Sequence, residues 1–271
     1  MKADCKANVR RKAAKFQWKK IAKFPTLKKY IEEKLYEDRS PESIAGRIKH
    51  VERGIPYTSK DSIYRYIKSV HGRRLESYRA QTAPKKKYGR ITTKKLTERN
   101  FIDKRPRIIN ARGRVGDVEA DFIVSGKNGK GILLTVVCRK IRIVFIEKIF
   151  PVTIENVHEA FMRTKKRFPE MKSVSTDNDI LFRKHKNLEK LLGMKIYFCH
   201  PYHSWEKGSN ENANGHIRKY IPKGADISFY SVSFVRKVEK KVNDRYLKCL
   251  RYYTPLEKLE QHRKRKKRLR A

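Results

Sequence analysis

Three acidic residues stand at places from which strands and a helix could aim them at one point. Asp121 lies late in a stretch where Val118, Ala120, Phe122 and Val124 alternate with Asp117, Glu119, Asp121 and Ile123. That period of two is a strand pattern. Asp177 sits just after a short predicted strand, in Ser175-Thr176-Asp177-Asn178, and Glu211 lies at or near a helix start in Ser209-Asn210-Glu211-Asn212. The chain carries 69 Lys and Arg against 28 Asp and Glu, a formal net charge of +41. Acids clustered in such a chain need a cation of their own. Lys or Arg could serve. So could two divalent metal ions about 3.5–4 Å apart, which activate a water or a 3′-hydroxyl for in-line attack on a phosphodiester. Hard carboxylate oxygens suit Mg²⁺ or Mn²⁺. No covalent protein intermediate is required.

The charge points the same way. Such an excess opposes compaction by self-repulsion, and a polyanion, nucleic acid first, is the simplest reason to keep it. Charge alone does not choose between DNA and RNA. At 38% hydrophobic and 10% aromatic residues, the chain can build a core and is more than a basic tail. No run approaches the roughly 18 apolar residues of a membrane span, and Met1 to Lys20 lacks a signal-peptide segment. The expectation is an intracellular protein with no membrane contact. Cys5, Cys138, Cys199 and Cys249 are far apart, which fits neither a zinc ribbon nor a disulfide framework. Cys199, His200 and His203 resemble metal ligands only briefly. A strand end followed by a Pro-containing loop explains them better.

The elements that must position the acids are legible in part. Residues 1–25 form a basic lead segment. Residues 26–72 read as three short helices. Thr26 caps the first, with Leu27, Tyr30, Ile31 and Leu35 on its face. Ser40 caps the second, with Pro41 at its first position. Ser59 caps the third. Ile63, Tyr66, Ile67 and Val70 form the third helix's apolar stripe, leaving Lys60, Ser62, Tyr64, Arg65 and Lys68 largely outside. A basic third helix suggests a helix-turn-helix, whose last helix enters the major groove. A small bundle that spaces two domains is the other reading. Residues 73–114 read as a basic linker or arm. From Gly116 three strands follow, to Val124, Ile132–Cys138 and Ile141–Phe150. Next come a helix over 153–168, a strand Ser173–Thr176, a helix Leu181–Leu192 closed by Gly193, and a strand Lys195–Cys199. Helices through Asn212–Tyr220 and Val232–Leu247 end the series. This predicts an α/β fold over 115–255, a ribonuclease H-like mixed five-stranded sheet with flanking helices, preceded by the small all-α domain. Residues 256–271 read as a basic tail, unfolded alone at 262–271.

Three motifs then carry a family resemblance. They are Gly116-Asp117-Val118-Glu119-Ala120-Asp121, Thr176-Asp177-Asn178, and Tyr202-His203-Ser204-Trp205-Glu206-Lys207-Gly208-Ser209-Asn210-Glu211-Asn212-Ala213-Asn214-Gly215. The chain resembles bacterial insertion-sequence transposases of the IS-thirty type, DDE enzymes related in core fold to retroviral integrases. The likeness covers nearly all of residues 20–260, and its third motif is the most specific. It implies that Asp121, Asp177 and Glu211 are catalytic and hold two Mg²⁺ or Mn²⁺ ions. The interval from Asp177 to Glu211 is 211 − 177 = 34 positions, as the family implies. Arg218 falls where the family carries a basic residue. Positions 211, 214 and 218 share one helix face, so Arg218 could contact DNA phosphate beside the metals; Asn210 and Asn214 are further candidates for DNA contact. Ser40-Pro41-Glu42-Ser43-Ile44-Ala45-Gly46-Arg47 and Ser62-Ile63-Tyr64-Arg65-Tyr66-Ile67 resemble the family's helix-turn-helix.

The implied function is cleavage of element ends and joining of 3′-hydroxyls to target DNA. The implied partner is double-stranded DNA, with a homo-oligomer assembled on it in a bacterial cytoplasm, associated with the nucleoid. Val118, Asp179 and Leu181 depart from the family's Trp, Gly and Glu. Family members also carry another DNA-binding region first, whose basic Ala-rich end Met1 to Lys20 resembles, so the chain is expected to lack it. The alternative is a catalytically inactive DNA-binding remnant or regulator of transposition. A nuclease acting on RNA–DNA hybrids suits the same core, but the helix-turn-helix argues against it.

Overall fold

The alternating stretch around Asp121 becomes β1 (Asp117–Val124), the middle strand of a five-stranded sheet. A computed structural model of the chain describes residues 20–69, 71–78, 99–200 and 203–269. The sheet order is β3-β2-β1-β4-β5. β2 (Ile132–Cys138) and β3 (Val144–Ile149) form an antiparallel meander with β1, whereas β4 (Ser173–Thr176) and β5 (Lys195–Phe198) run parallel to it. Parallel neighbours need crossover connections. A helix supplies each, and the result is the ribonuclease H-like fold that the order of elements predicts.

The chain divides into two compact units, one within 89–244 and 255–271, the other within 1–88 and 245–254. In the first unit both faces of the sheet are covered. α6 (Ile154–Arg167) and α7 (His185–Leu192) bury Val157, Phe161 and Leu188 with Val118, Ala120 and Val174. On the other face α8 (Gly208–Ile217) and α9 (Val232–Asn243) bury Ala213, Ile217, Val235 and Val238 with Ile123, Leu133 and Ile146. All seven residues of β2 are buried, which explains why it reads as a continuous apolar run rather than an alternation. Gly116 opens β1 at φ +109, where a Cβ would lie 1.9 Å from the Glu170 carbonyl oxygen. Only glycine fits there.

Several boundaries move. β3 begins at Val144 instead of Ile141, because Arg142 turns the chain at φ 60 and the Cys138 amide donates to the Ile143 carbonyl at 2.9 Å. The helix expected over Leu181–Leu192 is divided. Asp179 caps a 3-10 turn Ile180–Phe182, and α7 starts at His185. Gly193 closes it at φ 61 as expected. α8 starts at Gly208, earlier than Asn212. The stretch leading into β1 is not solvated throughout. Ile102 and Ile109 are buried, α5 (Arg107–Asn110) forms there, and Phe101 bridges to Phe198. The basic end is a helix, α10 (Pro255–Arg268), not an unfolded tail. Leu259 joins the core and Arg263 grips Glu170 at 2.8 and 3.1 Å. Those anchors supply the burial that its charged sequence does not advertise.

The second unit has α1 (Lys20–Lys23), α2 (Pro25–Tyr36), α3 (Pro41–His50) and α4 (Lys60–Lys68). Leu27, Ile31, Leu35, Ile44, Ile63 and Ile67 form its core. The Ser40 and Ser59 caps are as expected, accepting from the amides of Ser43 and Ser62. Thr26 is not a cap. Pro25 occupies the first turn and Phe24 the cap position. Residues 245–254 complete this unit. The Arg47 guanidinium lies 4.7 Å from the Tyr246 ring centre and donates to the Tyr252 carbonyl at 3.2 Å. The expectation for the lead segment lies mostly outside the described residues, as does that for 79–98. Among the described residues no helix is long and apolar enough to cross a membrane.

Candidate active site

β1 and β4 are adjacent and parallel, so residues late in one and just past the other leave the sheet side by side. Asp121 and Asp177 do so. The Lys207 ammonium lies between them, 3.0 Å from Asp121 Oδ1 and 3.0 Å from Asp177 Oδ2. Lys207 immediately precedes α8. Two turns further on, Asn214 donates from Nδ2 to Asp121 Oδ2 at 2.7 Å. Glu211 is one turn after Lys207 and one before Asn214, exposed on a helix whose two neighbouring positions both bond Asp121. Residues from three separated motifs are thus brought to one place.

Burial and neighbouring charges shift three groups of the site. Burial raises the pKa of Asp121, and Asp177 adds to the rise against the opposing charge of Lys207. Burial likewise raises Asp179, with Asp177 and Asp121 contributing. Burial disfavours the Lys207 ammonium, but the two carboxylates more than offset it and its pKa is raised. Thr176 Oγ1, Asp177 Oδ1 and Asn214 Oδ1 are buried and have no hydrogen-bond partner among the described residues. Unsatisfied buried polar atoms are rare in native structures and mark places where ions or ordered waters bind.

Glu119 is the residue that sequence reasoning missed. It shares a strand face with Asp121 and is fully buried. Its Oε2 accepts from the amides of Ser209 at 3.0 Å and Asn210 at 3.2 Å, and its Oε1 pairs with Arg139 at 2.6 Å. A carboxylate at a helix N-terminus satisfies orphan amides and complements the helix dipole. Glu119 therefore fastens the helix that carries Glu211 and Asn214 to the strand that carries Asp121. The period-two neighbour of a ligand candidate was the available signal.

Other candidates fall differently. Asn210 is fully buried, with neither end of its amide partnered among the described residues. It sits buried at the helix start. Arg218 donates to the carbonyls of Val124 at 3.0 Å and Pro222 at 3.1 Å, tying α8 to the end of β1. Burial lowers its pKa. Lys60, Arg65 and Lys68 are exposed on α4, with Ser62 and Tyr64 half-buried beside them.

The chain is 36% identical over 247 residues to the transposase for insertion sequence element IS4351 of Bacteroides fragilis, a match covering 88% of this chain and 74% of that protein. The chain belongs to the insertion-sequence transposases. The IS-thirty kind is among its relatives. Transposase InsI for IS30A of Escherichia coli (strain K12) is 29% identical over 249 residues, covering 86% of this chain and 64% of that one. The probable transposase for the insertion-like sequence element IS1161 of Streptococcus salivarius is 34% identical over 202 residues, covering 73% and 57%. No protein-family model matches. Among solved structures, the catalytic core domain of BIV integrase aligns with 55% of this chain and 97% of that one, at 17% identity and a TM-score of 0.41. The fold itself is read from the sheet order of this transposase.

Proposed function

We propose that this chain cuts the ends of its element and joins their 3′-hydroxyls to target DNA, with Asp121, Asp177 and Glu211 as the ligands of two divalent cations. The observation that carries this reading is the Lys207 ammonium held 3.0 Å from both Asp121 and Asp177. A cation already stands between two carboxylates from different strands, and Glu211 is on the helix beside it. The residues fit a hard divalent ion. All three offer carboxylate oxygens, Asp177 Oδ1 has no partner among the described residues, and Mg²⁺ and Mn²⁺ prefer such donors. When bound, such ions activate the attacking hydroxyl and stabilise the leaving oxygen of an in-line displacement.

The chain's own residues do the rest. Asn214 fixes the orientation of Asp121 through Oδ2. Glu119 holds the start of α8, and so the position of Glu211. Lys207, once released from the aspartates, is a compact point charge suited to a DNA phosphate. Lys60, Arg65 and Lys68 offer a basic helix face for duplex DNA, with Ser62 and Tyr64 beside it. Both element ends must be processed, which makes a homo-oligomer on DNA part of the proposal. The test is incubation with duplex taken from the DNA on either side of the gene, searched for inverted repeats. Mg²⁺-dependent nicking at the repeat boundary is expected. No nicking, with tight binding retained, would favour a DNA-binding regulator, a reading to which the neutralising Lys207 lends itself.

Two further outcomes follow from these charges. An ammonium this close to two carboxylates interacts on the order of a few kcal/mol at an effective dielectric near 20. Lys207→Ala should therefore bind Mg²⁺ at least about tenfold more tightly, about 1.4 kcal/mol, as read by calorimetry in the absence of DNA. Unchanged affinity would mean that the ammonium and the ion do not compete. Deleting residues 262–271 should flatten the salt dependence of duplex binding by about 0.9 in log–log slope for each phosphate that those residues neutralise. An unchanged slope would take α10 off the DNA.

A further inference from the structure

We propose that His200, His203 and Glu206 form a second metal site, of the zinc class, that braces the connection between β5 and α8. His200 Nδ1 lies 3.0 Å from Glu206 Oε1, and His203 Nδ1 lies 3.5 Å from the same oxygen. The three ligand atoms all lie within 4.8 Å of one another. Tetrahedral zinc, with bonds of about 2.0–2.1 Å, sets its ligand atoms roughly 3.3 Å apart. The two observed separations straddle that value. Two imidazoles and one carboxylate are a zinc donor set that leaves a fourth position for water. Nitrogen donors also separate this site from the all-oxygen acidic one, which suits Mg²⁺.

A second observation comes from outside the triad. His200 Nε2 lies 2.7 Å from Asp103 Oδ2. Ligating histidines characteristically give their other ring N–H to a carboxylate, which fixes the tautomer and aims the free nitrogen. The Phe101 ring stacks on His200 at 5.4 Å and 8°, holding the imidazole plane. The Glu206 carboxylate is fixed as well, since its Oε2 accepts the His200 amide at 2.9 Å. Cys199 is buried and is not one of the three grouped ligand residues. Without a metal the same groups are an imidazole ring held between two carboxylates, and the test must separate these states.

The consequence reaches the acidic site. Glu206 is the neighbour of Lys207, which bonds Asp121 and Asp177, and α8 begins at Gly208. A metal that fixes Glu206 therefore fixes the approach to Glu211.

The experiment uses the full chain carrying Asp121→Asn, Asp177→Asn and Glu211→Gln, stripped with a chelator and titrated with Zn²⁺ and with Co²⁺. One Zn²⁺ per chain is expected, undisturbed by excess Mg²⁺, and Co²⁺ should show the visible bands of a tetrahedral nitrogen–oxygen site. His203 is half-exposed, so His203→Ala should leave the circular dichroism of the metal-free chain unchanged while weakening Zn²⁺ at least about a hundredfold. Asp103→Asn should weaken it about 10–100-fold. Absence of stoichiometric Zn²⁺ in the folded triple variant overturns the site. So does Zn²⁺ held as tightly after His203→Ala.

Discussion

Glu211→Gln should lower Mg²⁺-dependent strand cleavage by about 10³-fold or more while changing duplex affinity by less than about twofold. Divalent ions contribute several kcal/mol to such transition states, and about 4 kcal/mol corresponds to a thousandfold in rate. Glutamine keeps the shape but not the charge. Glu211 is the cleanest of the three acids to test, because it is exposed whereas Asp121 also anchors Lys207 and Asn214. The basic helix face proposed for DNA, with Lys60, Arg65 and Lys68, is untouched. Cleavage and competition binding on one preparation check the separation. Cleavage at the wild-type rate would remove Glu211 from the site.

The second large effect belongs to Glu119. Glu119→Ala should cost about 3–5 kcal/mol of unfolding free energy, the range for removing one partner of a buried ion pair. It strands Arg139, whose guanidinium pairs with Glu119 at 2.6 Å in the buried interior, and it uncaps two amides of α8. Removing the stranded charge as well, in Glu119→Ala with Arg139→Met, should recover part of that loss. Denaturant unfolding measures both. A cost below about 1 kcal/mol for the single variant would show that α8 is held by its apolar face alone. The single variant should also lose cleavage at temperatures where it is folded, because Glu211 and Asn214 are carried by the loosened helix.

What could be read from the residues follows from how local each cause is. β2 lies where its apolar run predicts, β4 spans the expected Ser173–Thr176, and Ser40 and Ser59 cap their helices as short-range hydrogen bonding requires. α10 escaped because only Leu256 and Leu259 face the core along a run of charges, and the burial that sustains it comes from distant partners. The convergence of Asp121 and Asp177 was legible, since adjacent parallel strands follow from the order of elements. The cation between them was legible only as a choice between Lys or Arg and metal, and Lys207 occupies the place. Glu119 was not legible as a cap, because its amide partners are 90 positions away. Asn210 reads as a DNA-contact candidate within a polar motif, and its burial at the helix start depends on packing that the sequence does not show. Glu206 is the third partner of His200 and His203 in place of Cys199, and only the turn that folds it back onto His200 shows this.

Joining of a 3′-hydroxyl-ended element terminus to supercoiled plasmid in Mg²⁺ tests the acidic site most directly. The wild-type chain should yield covalently joined DNA, with no protein–DNA adduct and no product from a donor lacking the 3′-hydroxyl. Asp177→Asn should yield none, though it binds both DNAs. Joining at the wild-type rate by Asp177→Asn, or joining from a donor without its 3′-hydroxyl, would contradict a metal-dependent strand transferase centred on Asp121, Asp177 and Glu211.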